Sequence, residues 1–175
     1  MSNPMALSGF ARACAKRNGG IEKIGLLRAA DIASVEYNAS GDLFTSLSLT
    51  PGAAVAVYQF DEDSAEYSEV HRRTDGSYSV EHRLSMSLGR FDSSSREAVE
   101  EIALTSECGV VAVVRTCSGE EFVVGYSQEF GTERPLRLLS SEATTGAKPS
   151  DATCRKLTLG SLDTASARVL VNGVL

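Results

Sequence analysis

The stretch Tyr78-Ser-Val-Glu-His-Arg-Leu-Ser-Met-Ser-Leu-Gly-Arg-Phe91 decides the fold. Every second residue from Tyr78 to Leu88 is apolar, aromatic or His82, and the residues between them are polar. This period is typical of a half-buried antiparallel strand, because successive side chains of a strand point to opposite faces. The preceding Thr74-Asp-Gly-Ser77 predicts a tight turn, since Asp-Gly accepts the positive φ angles that such a turn requires. The sequence therefore predicts a hairpin whose first strand is Glu66–Arg73.

A helix is predicted directly after this strand, over about residues 94–107. The polar run Asp92–Ser95 supplies side-chain oxygens that can accept hydrogen bonds from the unpaired amides of a first helical turn. Glu97 and Glu100 lie in the early turns, where the helix dipole favours negative charge. Gly109 marks the end, because glycine is favoured just past a helix.

A second hairpin is predicted to follow, with strands Val110–Thr116 and Glu121–Ser127 around a glycine turn. Helix and hairpin are adjacent in sequence, so we expect their apolar faces to share a partner. The expected core wall consists of these residues or their immediate neighbours: Ala98, Ile102, Val111, Val113, Phe122 and Val124.

The remaining segments complete a mainly β architecture. Residues 1–20 form a short N-terminal segment with a possible helical turn near residues 9–16, packing Phe10 and Cys14 against the core. Residues 140–152 are small and polar, and they are predicted to form a long exposed loop. About ten short strands and one flanking helix predict a β-sandwich or barrel of antiparallel hairpins in a single domain, residues 1–175.

Composition limits the classes of function. The chain of 175 residues carries a net charge of −6, which disfavours a surface that adheres to the nucleic acid backbone. No apolar run reaches the ~20 residues of a membrane helix, and no secretory signal is recognisable, so we expect no membrane partner. The four cysteines lack zinc-site spacing, and we expect them to be reduced and mostly buried.

Two groups of polar residues deserve a chemical interpretation. Asp61, Asp63 and Glu66 are spaced as oxygen ligands of a hard cation, but the glycine and distal glutamate of a calcium loop are missing. A solvated acidic turn is the favoured interpretation, and metal binding there stays open. His71 and His82 are predicted to approach each other across the first hairpin, without a marked nucleophile nearby. We therefore predict no catalytic, cofactor-binding or metal-binding residues, no cofactor, and no enzymatic activity.

A family resemblance extends from about Ala13 to the C-terminal end. Its features are Ala13-Cys14, Gly19-Gly20, a hairpin-rich middle, the helix with its Val-Val-x-Val-Val strand, and "EEFVVGYSQEFGTERPLRLLSSEATTGAKPSDATCRKLTL" over residues 120–159. With these features the chain resembles structural proteins of tailed bacteriophages and prophages of the Bacteroides type, and it is similar to tail tube proteins. The resemblance implies a β-sandwich or barrel with a flanking helix that assembles in the host cytoplasm into hexameric rings, which stack into the tube of the virion tail.

The resemblance also implies partners and a surface. The partners would be further copies of the chain, other virion proteins, and DNA that passes without specific binding. An acidic lumen would repel the DNA backbone, and the candidate lumen-facing residues are Glu66, Glu69, Glu120 and Glu121. Two alternatives stay open: another virion component (tail terminator, head–tail connector or baseplate-proximal protein), and a cytoplasmic β-rich binding module.

Overall fold

The computed structural model describes residues 7–15 and 18–175. Its elements follow the chain as β1 Ile21–Arg28, a 3₁₀ turn Ala29–Asp31, β2 Ile32–Tyr37, β3 Phe44–Leu49, β4 Ala56–Tyr58, β5 Glu66–Thr74, β6 Ser77–Ser87, α1 Ser93–Cys108, β7 Val110–Thr116, β8 Glu121–Val124, β9 Arg137–Thr144, β10 Cys154–Asp163 and β11 Arg168–Val169.

The strands form three antiparallel sheets. The order is β11-β8-β7-β1-β4 in a five-stranded sheet and β5-β6-β10-β9 in a four-stranded sheet, and β2 and β3 pair as a hairpin. The β5–β6 turn has positive φ at both Asp75 and Gly76, as the Asp-Gly sequence predicts. The fold is mainly β, but the sheets do not close into a barrel, so the barrel alternative is excluded.

Two apolar clusters lie on opposite faces of the five-stranded sheet. The first fills the space between this sheet, the four-stranded sheet and α1, and its members include Ile24, Leu84, Met86, Ile102, Ala112, Val114, Val124, Leu157 and Leu159. The second lies under the β2–β3 hairpin, and its members include Leu27, Val35, Phe44, Leu47, Val111, Val113, Val123 and Leu170. Strand β7 is therefore buried on both faces, which suits its continuous apolar run.

Helix α1, Ser93–Cys108, extends one residue beyond each end of the predicted span of residues 94–107. Asp92 is the N-cap: its Oδ1 accepts from the Ser95 N–H at 2.8 Å, and the Ser95 hydroxyl accepts from the Asp92 N–H at 3.3 Å. Gly109 ends the helix with a φ of 96°, which favours glycine. Val99 and Ile102 are buried in the first cluster. Ile102 shares this cluster with the predicted Val124 and with Ala112 and Val114, the immediate neighbours of Val111 and Val113, which lie in the second cluster.

The structure corrects two predicted loops. Ser140–Thr144, assigned to the loop over residues 140–152, belongs to β9 and pairs with β10, so the loop begins only at Thr145. The sequence pattern did not indicate this strand, because β9 is the outermost strand of its sheet and its small polar side chains are mostly exposed. Near the N-terminus, residues 7–15 carry no helix, and Phe10 is exposed instead of packed.

The prediction of buried cysteines is wrong. Cys14, Cys108 and Cys117 are exposed and Cys154 is half-buried, all four as free thiols. Each exposed cysteine lies outside the regular strands: Cys14 on the N-terminal segment, Cys108 at the last residue of α1, and Cys117 in the β7–β8 turn.

Candidate functional site

Two of the four candidate lumen glutamates share one groove. Glu66 begins β5 and Glu120 lies in the β7–β8 turn, and both are exposed. They line a groove of about 290 Å³ together with backbone and side chains of residues 18–21, Tyr67 and Phe122. No sequence pattern predicts this juxtaposition, because it depends on how the two sheets pack.

Glu121 does not face solvent, which corrects its assignment to an exposed wall. Its side chain is 5% exposed. Glu121 Oε1 accepts from the Arg115 Nε–H at 2.9 Å, and Oε2 accepts from the Val174 N–H at 2.8 Å. Arg115 and Glu121 are directly opposed in the β7–β8 ladder, so a cross-strand charge pair was the available signal.

Glu69 is half-buried and belongs to a polar network on the core side of β5 and β6. The network joins Tyr67, Glu69 and His71 of β5, which lie on one face because they alternate along the strand. The Tyr67 hydroxyl donates to Glu69 Oε2 at 3.0 Å, and it lies 2.7 Å from His82 Nδ1. His82 Nε2 in turn lies 3.0 Å from the Ala165 carbonyl in the β10–β11 connection. The network therefore ties that connection to the first hairpin.

Within the network the pKa of Tyr67 is raised and the pKa of Glu69 is lowered. Burial, followed by the charge and hydrogen bond of Glu69, raises the pKa of the Tyr67 hydroxyl, which stays protonated. Burial alone would raise the pKa of Glu69, but hydrogen bonds from His71, Tyr67 and the Ala167 N–H outweigh it and lower that pKa below the ordinary carboxyl value. Glu69 is thus an anion held by hydrogen bonds from side chains and one backbone amide.

Counting hydrogens shows what this network requires. The three contacts Glu69–Tyr67, Tyr67–His82 and His82–Ala165 carbonyl need three hydrogens. The Tyr67 hydroxyl supplies one, and a neutral imidazole supplies one more. With these two hydrogens, one of the three contacts is a close approach and not a hydrogen bond.

A nucleophilic triad does not form here. The Ser166 hydroxyl lies 3.2 Å from His71 Nε2, and Glu69 Oε1 lies 3.3 Å from the same nitrogen. A catalytic histidine uses one nitrogen for the nucleophile and the other for the acid that orients it. His71 instead directs Nδ1 to the Tyr78 hydroxyl. His71 and His82 also do not face each other as predicted, because the register sets Glu69 opposite His82 and Val80 opposite His71.

The second face of the four-stranded sheet carries alternating charge. Glu81 lies between two arginines, with Arg83 Nη2 at 2.6 Å and Arg72 Nη2 at 3.5 Å from its carboxylate. The hydrogen bond from Arg83 lowers the pKa of Glu81, and the charges of both arginines act in the same direction. Glu81 was not among the predicted residues, although its alternation with Arg83 on β6 places both on this face.

The acidic turn around Asp61 has a structural partner. Asp61 Oδ2 accepts from the Ser87 hydroxyl at 3.2 Å, and the Asp61 carbonyl accepts from the Ser64 hydroxyl at 2.6 Å. Within residues 7–15 and 18–175, no cluster of three or more His, Cys, Asp or Glu side chains is placed to hold a metal ion.

Comparison with known proteins leaves the site to be interpreted from its own geometry. No protein-family model, curated protein or solved structure matches this chain. In the part of the chain that the structure describes, no helix has both the length and the apolar character to cross a membrane.

Proposed function

We propose that the chain is a structural subunit of a tailed-phage virion, a tail tube protein whose copies form rings through which DNA passes. The observation that carries the proposal is a sheet with two long, unpaired outer strands. β5 and β9 are the outermost strands of the four-stranded sheet, with nine and eight residues. Unpaired strand edges invite pairing with another chain.

The direction of these strands suits head-to-tail addition. β5, β6, β10 and β9 alternate in direction, so β9 of one copy and β5 of the next copy would again be antiparallel. Identical contacts of this kind form a closed ring when the rotation between copies closes. The hexamer and the tail location follow from the family resemblance alone.

The uncovered face of the same sheet is the candidate lumen wall. Its charges include the Arg72–Glu81–Arg83 group, Glu66, and Lys156 with Glu142 opposite it on β9. Of the four predicted lumen glutamates, Glu66 lies on this face and Glu120 lines the same groove as Glu66, whereas Glu69 is half-buried on the core side of β5 and Glu121 is buried. A wall on which three basic side chains are matched by three acidic ones gives phosphates few free cations to bind.

The alternatives make different use of the same edges. Another virion component would also add copies edge to edge, but in one ring instead of a stack. A cytoplasmic binding module would accept an extended segment of a different protein along β5 or β9.

The test is assembly with and without a usable β5 edge. Thr74 and Ser77 flank the two-residue turn as a hydrogen-bonded pair, so the Arg73 N–H points to the free edge. We expect the purified chain to form rings of uniform diameter in negative stain at high concentration. Arg73→Pro should abolish them while the monomer stays folded, and Arg73→Ala should not. A chain that stays monomeric at every concentration would contradict the proposal.

A further inference from the structure

Residues 7–17, here called the arm, differ in charge from the rest of the chain. The arm contains Arg12, Lys16 and Arg17 and no acidic residue, whereas the whole chain carries a net charge of −6. Any acidic surface of the same protein is therefore an electrostatic partner for it.

The arm also presents apolar side chains to solvent. Leu7 is 102% and Phe10 is 92% exposed, the two highest values for large hydrophobic residues in the described part of the chain. All of residues 7–15 are exposed. Exposed large apolar side chains on a segment without regular structure are typical of a partner contact.

A groove beside β4 has the complementary character. It encloses about 530 Å³, and its apolar part includes Val57, Tyr58 and Phe60. Glu22, Glu62 and Asp63 are exposed on its rim and outnumber the one basic lining residue, Lys23. β4 is the outermost strand of the five-stranded sheet, and its Val57 is 55% exposed. This β4 groove thus combines apolar surface, acidic side chains and an unpaired strand edge.

The root of the arm is fixed, and its length suits a neighbouring molecule. The Asn18 and Gly20 carbonyls accept from Ser118 Oγ at 3.2 Å and from the Cys117 N–H at 3.1 Å. The eleven residues 7–17 reach at most about 36 Å from this root. A domain of this length has a radius of gyration of about 16 Å. The arm can therefore cross much of an adjacent copy.

We propose that the arm of one copy docks in the β4 groove of a second copy, with Leu7 and Phe10 on the apolar part and Arg12 against Glu22 and Glu62. The inference rests on the proposed self-assembly and adds a second contact to it, because the β4 groove lies on a different sheet from the β5 and β9 edges. The arm would then join copies that the edge contacts alone do not connect.

The native cysteines test the contact directly, because Cys14 lies on the arm and Cys117 lines the β4 groove. In a Cys108→Ser/Cys154→Ser background, chains that keep only Cys14 are mixed with chains that keep only Cys117. A short bismaleimide should then join the two chains, since the cross-link can form only between copies. Chains that keep only Cys108, exposed on α1, are the matched control for Cys117. Cross-linking no greater than with this control would overturn the inference.

Assembly measurements separate this inference from the proposed function. Leu7→Ser/Phe10→Ser and Glu22→Lys/Glu62→Lys should each raise the concentration needed for assembly at least about tenfold, as a loss of 1.4 kcal/mol would. Glu97→Lys/Glu107→Lys on α1 makes the same charge change and should leave it unaltered. Full assembly by the arm variants would overturn the inference alone. A wild-type chain that never assembles would overturn both.

Discussion

Glu121 and Glu69 both direct a carboxylate away from solvent, but the two regions stabilise it differently. Glu121 forms an ion pair with Arg115 between β7 and β8, and its carboxylate also accepts a hydrogen bond from the Val174 amide. Glu69, on the core side of the first hairpin, meets the Tyr67 hydroxyl, the Ala167 amide and the two histidines His71 and His82, and its side chain is 30% exposed.

The difference lies in whether the carboxylate has a permanently charged partner. A buried pair such as Arg115–Glu121 contributes little net stability, yet removing one partner leaves the other charge without compensation. Glu69 has hydrogen-bond donors but no arginine or lysine partner among the described residues. We therefore expect substitutions at Glu121 to change stability by leaving Arg115 unpaired, and substitutions at Glu69 to change the pH dependence of stability.

Glu121→Ala should have the largest effect, a loss of about 3–5 kcal/mol in the free energy of unfolding. The Arg115 guanidinium would stay largely buried with its main partner missing, and the Val174 amide would lose its acceptor. Denaturant unfolding at neutral pH measures the loss. Adding Arg115→Ala should recover part of it, because no charge then remains unpaired. A double variant less stable by the sum of both losses would contradict this account.

Ile102→Ala removes an apolar side chain from the core, and its loss in unfolding free energy can be compared with that of Glu121→Ala. Ile102 is 2% exposed in the cluster between the two large sheets, so truncation should cost about 2–5 kcal/mol. Leu104→Ala is the matched control on the same helix, because Leu104 is 75% exposed. An Ile102→Ala loss below about 0.5 kcal/mol would show that α1 does not close the core.

Sequence patterns predicted the elements whose side chains follow a period. The alternation of β6, the Asp92 cap and the Asp75-Gly76 turn all led to the observed structure. β9 was missed because an exposed outer strand needs no apolar period, only backbone pairing with its neighbour.

The charged residues show why the candidate site was harder to predict. Glu120 and Glu121 are adjacent, yet Glu120 lies in the β7–β8 turn and is exposed, whereas Glu121 begins β8 and is buried. All four residues of β8 are at least half-buried, so no apolar period indicated which glutamate points inward. The Tyr67–His82 contact depends on the register of β5 and β6, which a single sequence fixes only at the turn.

Glu69→Gln should have a smaller effect, limited mainly to its pH dependence. The pKa of Glu69 is lowered in the folded chain, so its stabilisation is present above the unfolded carboxyl pKa and is lost as pH falls through the folded pKa. Tyr67, His71 and His82 are the titratable groups that face it. Thermal unfolding should therefore show a shallower acid decline in Glu69→Gln than in wild type. Glu97→Gln, exposed on α1, is the control, and parallel acid declines in wild type and Glu69→Gln would contradict the prediction.

Glu81→Gln should have the smallest effect on stability, because exposed ion pairs contribute little. Its consequence lies in the charge of the uncovered sheet face, where Arg72 and Arg83 would lose their shared partner. Two free arginines per subunit offer phosphates two contacts, so DNA should be retained in a salt-dependent way, with log K falling about 1.8 units more steeply per log unit of salt. Retention on immobilised duplex DNA across a salt series measures this. Glu97→Gln also removes one glutamate beside an arginine, Arg96, but on α1, and it should leave retention unchanged. Equal retention by both variants would mean that net charge decides the interaction, and no gain in Glu81→Gln would mean that DNA does not meet this face.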